Sequence, residues 1–538
     1  MGRGWRAAIG AVLICSGAGL ASAQAETLAD AIALAYQSSP TLQQQRAQLR
    51  ALDETYVQAR AGWRPTATAQ VTGNYAKSPQ AGIFGGVSQV ESNTGEGVLG
   101  VTQPLYTGGR TAAEVRATQA DVLAGRQTLR ATEATLLQNV VTVYADVRRD
   151  QALLLIHEHD VAVLQGEVDD SQARFKAGEV TATDVAQVQT QLAQSRTGLT
   201  AAQGQLQVSR SNYAAIVGQN PGSLEPPPTM PGLPADVDKA FDIAETDNPT
   251  LRQAQITEEA SRARIAEARA ANRPTLSLNA NIGYTGVLTP FRGYDYDRAV
   301  SATATLTQPI FAGGVNSSNI RRSIELNTSD RIGIEAARRN AMQGVSQGWN
   351  EMITDRATVV SEEDHVNTAR SYFSGTQAEY TVGQRSTLDI IVAEQSLVGA
   401  EITLTNAHHD AYVAQAALLG AMGRLEARYV VPGAPIYDPA ASFANVAHKG
   451  SVPWEGLVAA LDNLGAPGVG ETVPISAPAA DLTPRLARAV DPVGAHPAPA
   501  TVVPTAPVPN TTSPQTPDTL GQHVSPPQDS APLDRNAP

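Results

Sequence analysis

Two long segments of the sequence, 105–220 and 310–431, contain no proline. Proline disrupts a helix interior because it lacks an amide hydrogen and clashes with the preceding turn. Late in each segment, apolar residues recur every seven positions, which is the spacing of a left-handed coiled-coil seam. The rows are Val185, Leu192, Leu199, Leu206 and Tyr213, then Ile390, Leu397, Leu404, Ala411 and Leu418. The sequence therefore predicts two long helical hairpins, each with an outgoing arm of about 95 Å at about 1.5 Å per residue.

The two hairpins belong to a tandem repeat. Pro40-Thr41-Leu42 recurs as Pro249-Thr250-Leu251, and Gln103-Pro104 recurs as Gln308-Pro309. The chain between and beyond the copies is rich in proline. We predict a signal peptide at 1–25, a first repeat at 26–220, a proline-rich linker at 221–235, a second repeat at 236–430 and a disordered tail, rich in proline and alanine, at 431–538.

Apolar and polar residues alternate in two short segments before each helical hairpin. In the second copy, the apolar positions are Leu276, Leu278, Ala280 and Ile282, then Val300, Ala302, Ala304 and Leu306. The first copy gives 66–75 and about 95–106. Segments of about ten residues with one apolar face are typical of membrane β-strands. A closed barrel needs about eight strands or more, so four strands per chain predict a shared barrel, and three chains would leave a lumen.

The N-terminus has the pattern of a secretory signal peptide. Arg3 and Arg6 precede an apolar run at 7–18, and small residues follow before Ala23 and Ala25, where we expect cleavage. The only cysteine, Cys15, lies inside this segment, so we expect no disulfide in the mature chain. After this segment the sequence contains no run of about 18 apolar residues, so we predict no membrane-spanning helix.

Composition and motifs exclude several classes of protein. Aromatic residues make up 5% of the chain and charged residues 17%, which suits closely packed alanine-rich helices better than a thick globular core. The net charge of −13 argues against nucleic-acid partners. The sequence has no zinc-protease, P-loop, dinucleotide or nucleophile-elbow motif. His157 and His159 are two apart on a predicted helix and so do not face one another. We expect no enzyme activity, cofactor or metal site.

In this order the motifs resemble the TolC family of outer-membrane efflux proteins, over roughly 26–428. The segments that carry the resemblance are Ala59-Arg60-Ala61 with Arg64-Pro65, its copy Ala268-Arg269-Ala270 with Arg273-Pro274, the strand exits 103–109 and 308–314, and the hairpin tips 174–178 and 380–383. The resemblance implies an α+β membrane protein whose repeats each contain a β-hairpin and a long coiled-coil helical hairpin. It further implies a homotrimer with one 12-stranded barrel in the outer-membrane lipid and one α-helical tube in the periplasm.

The resemblance also implies a function. The chain would be the exit duct of a tripartite efflux pump or of a type I secretion system. Its partners would be a periplasmic adaptor protein and an inner-membrane pump of the RND or ABC type. The alternative class is a secreted or periplasmic coiled-coil scaffold or adhesin without a pore, which predicts polar strand segments.

By position, the resemblance places a gate at the hairpin tips. Tyr380 and Arg385 correspond to residues that lock the inner hairpin, and Thr183 and Asp184 to their partners on the outer hairpin. Asp389 corresponds to an acidic ring that narrows the entrance.

The resemblance also bears on three further positions near this gate. Gly178 and Gly383 correspond to the tips that contact the adaptor, and Val392 stands where a second acid is found in the family. The two aspartates, Asp184 and Asp389, could equally be N-caps of the returning helices, since each stands at the start of a heptad run.

Overall fold

The computed structural model describes residues 26–81, 83, 85–288, 296–430 and 436–468. The predicted signal peptide and the predicted tail beyond 468 lie outside the described residues. In chain order the elements are α1 (Leu28–Ser38), α2 (Pro40–Arg60), a short 3₁₀ helix (Ala61–Trp63), β1 (Thr66–Ala81), β2 (Val87–Tyr106), α3 (Arg110–Ala177), α4 (Ala182–Val217), α5 (Val237–Asp247), α6 (Pro249–Ala270), β3 (Thr275–Val287), β4 (Asp297–Thr307), α7 (Val315–Thr381), α8 (Thr387–Ala421), α9 (Ala427–Val430), α10 (Pro439–Val446) and α11 (Glu455–Leu464).

The four strands form one antiparallel sheet in the order β1-β2-β3-β4. Its register aligns apolar residues on one face and polar residues on the other. A row on the apolar face is Ala69, Leu99, Ile282 and Val300, and the adjacent row on the opposite face is Thr68, Gly100, Asn281 and Ser301. Leu99 is 50% exposed and Val300 69%. Within the described chain, β1 and β4 each pair along one side only, so the sheet has two open edges.

The strands of the first hairpin are longer than the sequence predicts. β1 spans 16 residues and β2 spans 20, against 13 and 11 for β3 and β4. The added part of β2, such as Ser88, Gln89 and Glu91, lacks alternating apolar residues. Backbone pairing with β1 extends the strand there, and side-chain pattern alone does not reveal such pairing.

The predicted helical hairpins are present as α3–α4 and α7–α8. α3 contains 68 residues and α7 contains 67, with no break in either helix. In the predicted seam of α8, three residues are buried and two, Leu397 and Leu404, are partly buried, and four of the alanines three residues along are buried. These alanines are Ala393, Ala400, Ala407 and Ala414. Small side chains at every second seam position let the two helix backbones approach closely.

Because α3 is so long, it has different neighbours in its two halves. In its first half α3 packs between α2 and α6, and α6 packs on α7. In its second half α3 packs between α4 and α8, and α8 packs on α7. Ion pairs illustrate the two levels, Asp121 with Arg264 of α6 and Asp146 with His409 of α8. One chain therefore supplies four helices side by side at each level, which matches its four strands.

The main hydrophobic core lies halfway along α3. It joins α1, the end of α4 and residues of the predicted linker, including Leu224 and Met230. Tyr144 is fully buried there, and its hydroxyl donates to the carbonyl oxygens of Glu26 and Glu225 at 2.9 and 2.7 Å. The segment 221–235 thus packs into the core and does more than connect the repeats.

The prediction of a disordered tail from residue 431 is wrong for residues 436–468. This segment forms α10 and α11, which return along α2 towards the sheet. Phe443 packs on Tyr56 with ring centroids 5.0 Å apart, and Val458 is buried against Trp63 and Val115. The helices are short and Pro453 lies between them, so no sustained periodicity marked them in the sequence.

Asp462 of α11 fixes the turn between β2 and α3. Its carboxylate accepts from the backbone amides of Thr107 and Gly109, each at 2.9 Å, and of Ala112 at 3.1 Å. It also accepts from the indole nitrogen of Trp63 at 3.2 Å. Gly109, the N-cap of α3, has no side chain to cap the helix and adopts a φ of 83°. A carboxylate from the far end of the chain thus satisfies these free amides.

We expect Asp462→Ala to lower the free energy of unfolding by roughly 3 kcal/mol, because several buried donors lose a charged acceptor. Thermal unfolding followed by circular dichroism in detergent measures this loss. The neighbouring substitution Asn463→Ala, which removes two exposed hydrogen bonds, to Arg116 and to the Ala459 carbonyl oxygen, is the control and should change the melting temperature far less. Equal effects of the two substitutions would contradict the capping role.

Candidate functional site

The tip of the first helical hairpin lies between α3 and α4. α3 ends at Gly178, which has a φ of 80° and donates from its amide to the Phe175 carbonyl oxygen at 3.0 Å. Glycine adopts this left-handed conformation without strain, which explains its presence at the tip. Thr181 is the N-cap of α4, and its hydroxyl and amide both donate to Asp184, at 2.9 and 2.8 Å.

The tip of the second hairpin repeats this geometry. Gly383 has a φ of 78°, and Ser386 is the N-cap of α8. The amide and hydroxyl of Ser386 donate to Asp389 at 3.0 and 2.8 Å. The alternative that Asp184 and Asp389 are N-caps is therefore wrong by one turn. Both aspartates occupy the third position of a capping box, in which cap and acid bond to each other.

Both capping boxes favour ionised carboxylates. The bonds from the amide and then the hydroxyl of Thr181 lower the pKa of Asp184 below its ordinary value. The corresponding bonds from Ser386 lower the pKa of Asp389, and Arg385 contributes further. Each tip therefore presents a fixed negative charge at neutral pH.

The structure places Tyr380 inside the interface between the two hairpins. Tyr380 is 5% exposed and packs in a cluster with Leu164 of α3 and Ile390 of α8. The guanidinium carbon of Arg174 lies 4.5 Å from the centroid of its ring. Its hydroxyl is buried without a hydrogen-bond partner. Tyr380 thus joins the hairpins through packing and a cation–π contact.

The predicted lock residues are only partly brought together. Arg385 forms an ion pair with Glu379 of its own hairpin at 2.7 Å. In the described chain, neither Tyr380 nor Arg385 has a hydrogen bond or ion pair with Thr183 or Asp184. Thr183 is exposed. The lock therefore stays a prediction, and the contact that one chain makes is between Tyr380 and Arg174.

Three acids meet further along the same interface. Glu394 of α8 is 4% exposed, and neither carboxylate oxygen has a hydrogen-bond partner. Burial, together with the nearby charges of Asp160 and Glu167 on α3, raises its pKa to about 8. Asp160 is held by the hydroxyl of Ser195. Near neutral pH, ionisation of Glu394 therefore opposes the contact between the hairpins.

Arg174 and Glu394 are the site residues that the sequence reading missed. Arg174 begins a recognised tip motif, but a contact with Tyr380 across hairpins leaves no local signal. Glu394 had a detectable signal, because it is one turn beyond the seam residue Ile390 and faces the same neighbours.

The described residues contain neither a membrane-spanning helix nor a cluster of metal ligands. None of the helices in the described ranges is long and apolar enough to cross a bilayer. In that same part of the chain, no group of three or more His, Cys, Asp or Glu residues could hold a metal ion.

Comparison with known proteins gives consistent matches. The family described as "Outer membrane efflux protein" matches residues 31–219 and 241–424. The chain is 29% identical to the outer membrane efflux protein BepC of Brucella suis biovar 1 (strain 1330), covering 84% of this chain and 96% of BepC. It is 26% identical to the outer membrane protein TolC of Escherichia coli (strain K12), covering 75% and 83%.

A solved structure has the same fold. The outer membrane protein VceC from Vibrio cholerae superposes with a TM-score of 0.64 at 21% identity, covering 74% of this chain and 96% of VceC. The helical hairpins and the small antiparallel sheet therefore form a known architecture.

We predict that Glu394→Gln stabilises the protein more at pH 8 than at pH 5. The raised pKa means that folded Glu394 holds its proton where the unfolded side chain has lost it, so stability falls as pH rises from about 4.5 to about 8. Glutamine removes this loss, which is on the order of a few kcal/mol per chain. Thermal unfolding by circular dichroism at both pH values measures the effect.

Glu401→Gln is the matched control. Glu401 lies one heptad further along α8 but is paired with Arg370 at 3.1 Å. Its substitution should give no stabilisation that grows with pH. If wild type and Glu394→Gln have parallel pH profiles, the Glu394 carboxyl has the same pKa in the folded and the unfolded chain, and the inference is wrong.

Proposed function

The chain belongs to the outer membrane efflux protein family, and from that premise we propose that three copies form one continuous channel across the outer membrane and the periplasm. The resemblance found in the sequence motifs is confirmed, as are the outer-membrane location and the function in efflux. A pore-free scaffold or adhesin is not favoured, because the relatives are efflux channels. The same relatives are channel proteins and not enzymes.

The observation that carries the proposal is the sheet. It has four strands, two open edges and one apolar face that is exposed along its length. Open edges and exposed apolar faces are both unfavourable, and closure into a ring in lipid removes both. Two copies would give a ring filled by side chains, whereas three would give twelve strands and a lumen.

The helices support the same number of copies. Four helices lie side by side at each level of the chain. Three copies would thus surround a tube of twelve helices below a ring of twelve strands. α3, with its 68 residues, would extend about 100 Å at about 1.5 Å per residue, which gives the tube its reach.

We further propose that the tube works with a periplasmic adaptor and an inner-membrane pump, because channels of this family act in such tripartite systems. Among the described residues, the exposed tips at Gly178 and Gly383 follow helices of 68 and 67 residues that begin near the sheet, and they are the proposed adaptor contacts. The proposed pump is of the RND or the ABC type. The proposed system is a tripartite efflux pump or a type I secretion system.

The tips are the proposed gate. The capping boxes fix Asp389 in an ionised state, and three copies of it around the axis would narrow the entrance with negative charge. Tyr380 and Arg385 on one hairpin, with Thr183 and Asp184 on the other, remain the proposed lock. Each exposed polar contact contributes about 0.2–1 kcal/mol, so the lock holds the resting channel but yields to partner binding.

We expect Asp389→Asn to weaken the preference of the channel for cations and its block by trivalent cations in planar lipid bilayers. Removing three charges from a narrow entrance lowers the local concentration of cations. Asp169→Asn removes an exposed charge from α3 near the first tip and lies outside the proposed lock, so it is the control. Equal ion selectivity of the two variants would contradict the placement of Asp389 at the constriction.

A further inference from the structure

Two equivalent turns of the chain differ in how they are covered. The first junction, residues 103–109, leads from β2 into α3, and the second junction, residues 308–314, leads from β4 to α7. Every residue of the first junction is at least half-buried, whereas every residue of the second is exposed. Ile310 is 95% exposed and Phe311 89%. Within the described residues, two large apolar side chains of the second junction thus have no cover.

The cover of the first junction is α11. The indole nitrogen of Trp454 donates to Gln103 at 3.0 Å, and Asp462 binds the amides of Thr107 and Gly109. The second junction has no equivalent in the described chain. Gly314, the N-cap of α7, has no side chain of its own to cap the helix.

α11 itself carries an uncovered apolar stripe. Leu457, Leu461 and Leu464 are 71%, 46% and 87% exposed. Their spacing of four and three residues places them on one face of the helix, about 110° around from the face on which Val458 and Asp462 are buried. Contiguous exposed apolar residues of this kind usually mark an interaction surface.

Closure of the sheet would bring the two uncovered surfaces together. The strands alternate in direction, so β4 of one chain and β1 of the next would pair antiparallel, as the other pairs do. β4 ends at Thr307, and β1 begins at Thr66, directly after the 3₁₀ helix on which α11 packs. The second junction of one chain therefore arrives beside α11 of the neighbouring chain.

The charges around α11 argue against lipid as the cover. Glu455, at the start of α11, is 3% exposed and pairs with Arg60 at 2.6 Å and Arg64 at 3.0 Å. Burying such charges in hydrocarbon is costly. The level of α11 thus lies below the bilayer, where a protein surface is the fitting partner for its leucines.

We propose that the leucine face of α11 docks on Ile310 and Phe311 of the partner subunit, so that each α11 covers the first junction of its own chain and the second junction of the next. This segment lies beyond residue 424, where the match to the family ends. The contact rests on the proposed ring of three chains. It gives the C-terminal segment a role in assembly that the strands and helical hairpins do not supply.

Cysteine cross-linking tests the contact directly. Cys15 is the only cysteine, so Cys15→Ser gives a cysteine-free chain. In that background, Leu461→Cys with Phe311→Cys, treated in membranes with a short bis-maleimide, should convert most chains into covalent dimers and trimers. Each single-cysteine variant should form the native oligomer without cross-links, which shows that the substitutions are tolerated.

The control pair is Asn463→Cys with Phe311→Cys. Asn463 is also exposed on α11 but lies about 160° around the helix from Leu461, so its pair should cross-link far less. Native trimers without covalent oligomers would overturn the docking proposal and leave the channel intact. Equal cross-linking of both pairs, or cross-links within one chain only, would also overturn it. A protein that forms no oligomer would overturn both proposals.

Discussion

The whole architecture depends on a sheet that one chain cannot complete. Its four strands align an apolar face and a polar face, but β1 and β4 have no partner on their outer sides in the described chain. In lipid every backbone amide and carbonyl needs an internal partner, so a spanning sheet has to close on itself. The open edges of the sheet thus support the proposed ring of three chains, and the arrangement of the helices has to agree with the same number of copies.

The helical part meets that demand through the length of α3. One uninterrupted helix contacts α2 and α6 near the sheet and α4 and α8 further away, so a four-helix layer is maintained along the chain. The two ends of α3 are treated differently. Near the sheet, Asp462 fixes the start of α3. Near the tip, the hairpins meet through Tyr380, Arg174 and Glu394, whose buried carboxyl has no hydrogen-bond partner in the described chain. The start of α3 is therefore held by buried hydrogen bonds, whereas its far end is held by packing and a cation–π contact.

Periodic features of the sequence predicted much of this fold. Seven-residue spacing marked α4 and α8, alternation marked β3 and β4, and repeated glycines marked the tips, because each pattern arises from local geometry. Contacts between distant parts of the chain were missed. Asp462 lies in a proline-rich stretch without periodicity. It accepts hydrogen bonds from Trp63 and Gly109, and no sequence pattern at those two residues indicates a distant carboxylate partner. The lock residues were predicted from the resemblance alone. The contact between Arg174 and Tyr380 joins different helices, so no local sequence pattern indicates it.

Counting strands in the assembled protein tests the central claim most directly. Electron cryomicroscopy of the full chain in lipid nanodiscs would resolve both the number of copies and the partners of β1 and β4. We expect three-fold symmetry, twelve strands and antiparallel hydrogen bonds from β4 of each chain to β1 of the next. A particle with another number of chains, or with β1 and β4 left unpaired, would contradict it.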